Sequence, residues 1–167
     1  SVDISKIRDD FKPLSIETII TKAVENVKPQ AIRKDNEIKP KLSASLPKVS
    51  GNEGTLVEAI VNILNNAVKY SRIGKKIEIG AETDNGHISI HITDDGVGIA
   101  AEDLPHIFED FYSGKTRPKG ERSSGVGLAI SKRIIEAHDG MISVKSKLGE
   151  GSSFTIRLPI IVNDELS

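Results

Sequence analysis

Two runs of alternating apolar and polar residues, joined by Asp84-Asn85-Gly86, constrain the fold of this chain most strongly. In residues 76–82 isoleucine and alanine alternate with mainly charged residues, and in residues 87–93 isoleucine alternates with histidine, serine and threonine. Asn-Gly between two such runs is typical of a tight β-hairpin. Because successive side chains of a strand point to opposite faces, this hairpin has one apolar and one polar face. It therefore predicts a sheet that is covered on one side.

Three segments have the periodicity of amphipathic helices and can supply that cover. The clearest is residues 56–70, Ser15 can cap a second helix that continues to about Lys34, and the third is residues 126–137, ended by Asp139-Gly140. The apolar stripe of the clearest helix consists of Leu56, Ile60, Ile63, Leu64 and Ala67.

Shorter extended segments complete the predicted sheet, and a second hairpin is expected around residues 148–151. The additional strands are predicted at residues 11–14, 37–42, 48–50, 141–147 and 152–158. The fold class is therefore α+β, a two-layer α/β sandwich with a mixed sheet and helices on one face. One domain is expected at residues 11–162, after a leader at 1–10 from a neighbouring domain and before a tail at 163–167.

Composition excludes several classes of function. The chain has 167 residues, a formal net charge of −1 and no cysteine. Its charge balance argues against a strongly basic nucleic-acid surface, and the lack of cysteine excludes disulfides, thiolate zinc sites and cysteine nucleophiles. No apolar run is long enough to cross a bilayer. Neither nucleic-acid binding nor membrane contact is expected of this domain.

The helix at residues 56–70 carries an unusual polar stripe. Asn62, Asn66 and Lys69 follow the spacing i, i+4, i+7 and share one face. Amide oxygens can ligate Mg²⁺, and an ammonium can contact phosphate. A single surface asparagine would need no explanation, but asparagine is a mediocre helix former, and Asn65 brings the number in this helix to three.

Two glycine motifs flank polar groups that could contact a ligand. Asp94-Asp95-Gly96-Val97-Gly98 follows a strand, so its backbone can approach a ligand while Asp94 accepts a hydrogen bond. Ser124-Gly125-Val126-Gly127-Leu128 opens onto a helix, where free amides form an anion site. Taken singly, the first could be a plain turn and the second a flexible linker.

The segment between these motifs is polar and cationic. Lys115, Arg117, Lys119 and Arg122 could neutralise phosphates if the segment closes as a lid, although each alone could simply be a surface charge. The four histidines have no metal-binding spacing, and a polar sheet face or a loop accounts better for each of them. They are His87, His91, His106 and His138.

Together these motifs resemble, in fixed order, those of the GHKL (Bergerat) superfamily, specifically the ATP-binding catalytic domain of sensor histidine kinases. Residues 62–71 are similar to its asparagine box, 94–98 to the first glycine box and 107–112 to the phenylalanine box. Residues 125–130 are similar to the second glycine box and 149–154 to the last one.

The resemblance implies binding of ATP and Mg²⁺. Asn66 would ligate the metal with support from Asn62, Lys69 would contact phosphate, Tyr70 would pack near adenine and Asp94 would accept the adenine amine hydrogen bond. The remaining implied ATP-site residues are Gly96, Gly98, Ile99, Lys115, Arg122, Gly125, Val126, Gly127, Leu128 and Ser152.

One contrast with ATP-hydrolysing relatives and two departures from the family pattern bear on function. ATP-hydrolysing relatives carry a glutamate where this chain has Asn62, which cannot act as a general base; Glu58 is two turns from Asn66. Phosphoryl transfer is therefore favoured over hydrolysis. Asp110 and Ser113 stand where basic residues are common, which leaves open the lid cation that contacts the phosphates.

The resemblance also implies partners. The phosphoacceptor histidine would lie on a separate dimerisation domain, a response regulator would act downstream, and this chain alone would be a monomer. It implies a cytoplasmic domain, in a full-length protein that can carry a membrane anchor. Two alternatives stay open: a GHKL-type anti-sigma serine kinase and a non-catalytic ATP-binding module.

Overall fold

The structure, a computed structural model, describes residues 4–110, 112 and 127–162. These residues form a helical layer and a five-stranded sheet in the order β2-β4-β5-β7-β6. The elements in chain order are β1 (Lys12–Leu14), α1 (Ile16–Arg33), β2 (Glu37–Leu42), β3 (Val49–Gly51), α2 (Glu53–Tyr70), β4 (Lys76–Asp84), β5 (His87–Asp94), α3 (Gly127–Ala137), β6 (Met141–Ser146) and β7 (Ser152–Pro159).

The hairpin predicted from the alternating runs is the centre of the sheet. Strands β4 and β5 pair antiparallel, and the turn residues Asn85 and Gly86 both have positive φ, at 47° and 78°. This is the backbone that Asn-Gly hairpin turns require. Strand β2 runs parallel to β4, so the sheet is mixed, as predicted.

The inner face of the sheet and the helices enclose one apolar core. Ile79, Ile90 and Ile156 are fully buried on adjacent strands, and Ile63 and Leu64 meet them from α2. The polar side chains that alternate with them, such as His91 and Thr155, lie on the other face. The predicted two-layer sandwich is confirmed.

Side-chain N-caps determine where helices α1 and α2 begin. Ser15 accepts a hydrogen bond from the Thr18 amide at 3.3 Å and caps α1, as predicted. Helix α2 begins three residues earlier than predicted because Asn52 accepts from the Thr55 amide at 2.9 Å. Such a cap satisfies one of the free amides of the first turn.

The N-terminal segment packs against the domain. Residues Ile4–Asp10 form a 3₁₀ helix, Ile7 is 3% exposed, and Arg8 forms an ion pair with Asp139 at 2.6 Å, just beyond α3. Strand β1, which follows this helix in the chain, pairs antiparallel with β3. Among the described residues, no helix has the length and apolar character needed to span a membrane.

Candidate functional site

Three parts of the chain meet where β5 ends. Asp94 is the last residue of β5 and lies opposite Ser152, the first residue of β7. After β5 the chain turns back to the end of α2, where Gly96 forms an isolated antiparallel bridge with Ser71. The structure therefore brings together Asp94, Gly96, Ser152 and the last turn of α2, which are distant in sequence.

Asp94 is a buried carboxylate with spare hydrogen-bonding capacity. Its side chain is 5% exposed, and its Oδ1 is buried without a hydrogen-bond partner in the described part of the chain. Burial raises the pKa of Asp94 to about 6, while the amides of Gly96 and Ser152 oppose the shift. An unsatisfied buried acceptor is costly, and it points to a ligand that supplies a donor.

The glycines beside Asp94 cannot be replaced without moving backbone. A Cβ on Gly96 would lie 2.2 Å from the Tyr70 carbonyl oxygen and 2.6 Å from Asp94 Oδ1. A Cβ on Gly98 would lie 2.1 Å from the Lys147 carbonyl oxygen, and its φ of 74° also favours glycine. The backbone around Asp94 is therefore packed as closely as glycine allows.

A hydroxyl network supports the same corner. Ser146 Oγ accepts a hydrogen bond from the Ile99 amide at 2.8 Å, and lies 2.8 Å from the Gly151 carbonyl oxygen and 2.7 Å from Ser152 Oγ. Ser146 was not identified from the sequence. The predicted hairpin around residues 148–151 does not fix which residues pair, and it is the register of β6 and β7 in the structure that places Ser146 opposite Ser152.

The polar stripe of α2 leads from this corner toward the start of α3. Asn62, Asn66, Lys69 and Tyr70 are all half-buried. The Asn62 amide nitrogen donates to the Gly127 carbonyl at 3.1 Å, and the Lys69 ammonium lies 5.7 Å from the Tyr70 ring centre. One function of Asn62 is thus to hold α3 against α2, while its Oδ1 is not used by that bond.

Several predicted ligand residues lie outside the described residues. These are Lys115, Arg117, Lys119, Arg122, Gly125 and Val126. Gly127 and Leu128, the first residues of α3, are half-buried beside Asn62. The structure therefore describes the chain before and after the cationic segment but not the segment itself.

Asp110, which occupies a position where the family often has arginine, is paired in this structure. Arg133 of α3 contacts the Asp110 carboxylate at 3.1 Å and 3.4 Å. Nearby, Phe108 packs edge-on against Phe154 of β7, with ring centres 6.3 Å apart. These contacts attach the chain before residue 111 to α3 and the sheet.

Three histidines lie at the kinds of position that the sequence predicts, and one of them is buried. His87 and His91 lie on the polar sheet face, and His138 lies in the turn after α3, where it is 3% exposed. Its Nδ1 bonds to the Ile134 carbonyl at 2.8 Å and its Nε2 accepts from the Asn52 amide at 3.1 Å. Burial lowers the pKa of His138. Sequence patterns cannot show that the turn after α3 closes over the cap of α2.

The described residues of the site offer amide oxygens and one buried carboxylate rather than a cluster of metal ligands. Among the described residues, no group of three or more His, Cys, Asp or Glu side chains could hold a metal ion. Asn66 offers a neutral amide oxygen, which suits Mg²⁺ when a ligand's phosphates supply the negative charge. The Asp94 corner offers an acceptor to a ligand N–H group.

Sequence comparison identifies related proteins. The sequence model of the histidine kinase-, DNA gyrase B- and HSP90-like ATPases matches residues 51–161. The sensor-like histidine kinase SenX3 of Mycobacterium tuberculosis is 38% identical over 150 residues, which are 89% of this chain and 36% of SenX3. The sensor histidine kinase RppB of Synechocystis is 32% identical over 153 residues, 91% of this chain and 34% of RppB. The chain thus spans about a third of the length of these relatives.

Solved structures show the same fold. The mycobacterial sensor histidine kinase MprB superposes with a TM-score of 0.79 at 26% identity, covering 89% of this chain and 98% of that one. Full-length ShkA in complex with AMPPNP superposes with a TM-score of 0.80 at 29% identity, covering 92% of this chain and 32% of ShkA.

Proposed function

Because the chain belongs to the family of histidine kinase-, DNA gyrase B- and HSP90-like ATPases, we propose that it is the ATP-binding catalytic domain of a sensor histidine kinase. One observation carries the proposal. Asp94 presents a buried oxygen without a hydrogen-bond partner among the described residues, in a corner where glycine backbone leaves no room for a side chain. The AMPPNP complex of the related ShkA supports a nucleotide as the ligand.

Adenine fits the Asp94 corner by its chemistry. Its exocyclic amine is a donor, and an ionised carboxylate only accepts hydrogen bonds. The unpartnered Oδ1 would receive the amine hydrogen, which removes the cost of leaving it unsatisfied. Ser152, Gly96, Gly98 and Ile99 would line the base, because they surround Asp94 through the β5–β7 register and the Ser146 network.

The α2 stripe would bind the triphosphate. Asn66 would hold Mg²⁺ through its amide oxygen, Asn62 would support the metal and phosphates, and the Lys69 ammonium would contact a phosphate oxygen. Bound Mg²⁺ would supply charge neutralisation at the reacting phosphates. The amides at the start of α3, from Gly127 onward, would add an anion site at the helix N-terminus.

Transfer to a protein nucleophile fits these residues better than hydrolysis. The position one turn before Asn66 holds Asn62, an amide that cannot accept a proton from water. His138 is unsuited as an acceptor, since it is buried and both ring nitrogens are hydrogen-bonded. We therefore place the phosphoacceptor histidine on a dimerisation domain of the same kinase, with a response regulator downstream and this domain in the cytoplasm.

Labelling with γ-³²P-ATP tests the proposed activity. The isolated chain with Mg²⁺ should stay unlabelled, whereas a separately produced phosphoacceptor domain of the same kinase should become labelled when this chain is added. The label should be lost in acid, because phosphohistidine is acid-labile. Strong self-labelling of the chain would contradict the proposal, and acid-stable label would favour a serine kinase.

A further inference from the structure

Lys34, the residue that follows α1, reaches across to the end of α2. Its ammonium donates to three backbone carbonyls: Val68 at 2.6 Å, Lys69 at 3.0 Å and Ser71 at 2.7 Å. An ammonium has three N–H donors, so this geometry uses all of them. Lys34 is half-buried and 34 to 37 residues from its acceptors in sequence.

We infer that Lys34 is a positioning residue for nucleotide binding: it fixes the last turn of α2 so that the glycine loop stays closed against Asp94. The inference rests on the proposed function, since it concerns the same site. Lys34 would not touch the nucleotide. It would act through the backbone of residues 68–71 and the loop that contacts it.

The hydrogen bonds of the α2 terminus show why Lys34 is needed. The last four carbonyls of a helix have no partner within the helix. Here the Ser71 amide donates to the Ala67 carbonyl, and the Lys34 ammonium donates to the carbonyls of Val68 and Lys69. The Val97 amide donates to the Tyr70 carbonyl at 3.2 Å. A positive charge at this end also stabilises the helix dipole.

The bond from Val97 to Tyr70 joins this cap to the adenine corner. It lies next to Gly96, whose Cα is so close to the Tyr70 carbonyl that a Cβ would approach it to 2.2 Å. A small shift of the last turn of α2 would therefore move Gly96 and open the Asp94 corner. The Lys34 charge also lowers the pKa of Asp94, against the effects of burial and of the Asp95 charge.

The neighbouring residues hold the following loop in the same way. The Asn36 amide nitrogen donates to the carbonyls of Arg72 and Lys75, both at 2.9 Å, and the Gly74 amide donates to the Lys34 carbonyl at 3.1 Å. Residues of the turn between α1 and β2 thus form hydrogen bonds along the chain from residue 68 to residue 75. Among these residues, Lys34 is the one that donates hydrogen bonds to the last turn of α2, which carries Tyr70.

Lys34→Met and Lys34→Arg test the inference, with ADP and Mg²⁺ as the probe. Methionine keeps the length but has no donors, whereas arginine keeps the charge and several donors. Calorimetry should show ADP binding weakened roughly tenfold or more in Lys34→Met, the loss expected for hydrogen bonds to a charged group, and largely restored in Lys34→Arg. The low-pH limit of ADP binding should move to higher pH in Lys34→Met, because Asp94 loses a favourable charge.

Amide hydrogen exchange separates positioning from general stability. Lys34→Met should speed exchange at Val97 relative to Ile90 in the middle of β5, whereas Ile20→Val, a core change in α1, should lower stability without this local effect. If Lys34→Met does not fold, Lys34→Gln provides the same readings.

Wild-type ADP affinity together with unchanged relative exchange at Val97 in the methionine variant would overturn the inference. Failure of the wild-type chain to bind ADP would instead contradict the proposed function, while the Val97 exchange would still decide whether Lys34 holds the loop.

Discussion

The two ends of the proposed nucleotide site are built differently. At the adenine end, Asp94 and Ser152 are buried, and Gly96 and Gly98 leave no space for a side chain. At the phosphate end, Asn62, Asn66 and Lys69 are half-buried on one face of α2, and the cationic segment lies outside the described residues.

This difference indicates how the two ends would work. The adenine end is rigid because its shape is set by backbone contacts and by a sheet register, so it can select a base. The phosphate end consists of side chains that can adjust to a metal and a charged group. Substitutions at the adenine end should therefore affect folding and binding together, whereas substitution of Asn66 at the phosphate end should affect binding alone.

A comparison of Gly96→Ala with Gly127→Ala should give the largest difference in the free energy of unfolding between the two ends. Alanine at 96 places Cβ 2.2 Å from a backbone oxygen, whereas at 127 the nearest atoms in the described part of the chain belong to Asn62 and lie 3.8 Å away. The first change should lower the free energy of unfolding by roughly 3 kcal/mol, and the second should change it by less than about 0.5 kcal/mol. Urea unfolding measures both, and equal losses would contradict the contrast.

Asp94→Asn should stabilise the chain at neutral pH while it weakens nucleotide binding. The pKa of Asp94 is raised from 3.8 to about 6. Between these two pH values, the folded state therefore keeps a proton that the unfolded state has lost. Stability therefore falls as pH rises from about 4 to 6, and the penalty persists above pH 6. The free energy of unfolding of the variant should exceed that of wild type by about 3 kcal/mol at pH 7, and the two should be nearly equal at pH 4.

The matched control for this pH experiment is Asp9→Asn, at an exposed aspartate of the N-terminal 3₁₀ helix. Urea unfolding at several pH values gives the difference directly, since contributions from other groups cancel. A pH-independent difference for Asp94→Asn would show that the carboxylate is not held in an unfavourable site.

Asn66→Ala should act on metal-dependent binding and leave folding unchanged. Asn66 is half-buried on the outer stripe of α2, so its loss opens no core cavity. We expect calorimetry to show affinity for ADP with Mg²⁺ reduced about tenfold, with little change when Mg²⁺ is absent. Asn65→Ala, on the same helix but off the stripe, is the control. The assignment of the metal ligand fails if both variants behave alike.

His138 tests whether acid sensitivity also arises outside the site. It is buried, and burial lowers its pKa. The unfolded chain therefore takes up the proton first, and stability falls as pH drops below about 6.5. His138→Gln should lose less stability than wild type between pH 7.5 and pH 5.5 in urea unfolding, and a difference between the two that does not change with pH would contradict this prediction.

Much of the fold and part of the site could be predicted from sequence. The Asn85-Gly86 turn, the Ser15 cap and the apolar stripe of α2 depend on local patterns, and each is found in the structure. Asp94 and the glycines were recognised because they occur as a motif. Their proposed roles remain predictions.

What sequence could not show depends on long-range contacts. Ser146 joins the site through the β6–β7 register, Lys34 through side-chain bonds to a helix 34 residues away, and His138 through its bond to the Asn52 amide. None of these residues lies in a motif, and lysine and serine are usually surface residues. Their positions follow only once the elements are packed.

The most direct test of the adenine end is a calorimetric titration of the wild-type chain with ADP and with GDP, both with Mg²⁺. Guanine presents a carbonyl oxygen where adenine presents its amine, so it would place an acceptor against the Asp94 carboxylate. The account predicts that ADP binds at least about 100-fold more tightly than GDP, as expected for a site built around a specific hydrogen bond. Equal affinities for the two nucleotides would contradict it.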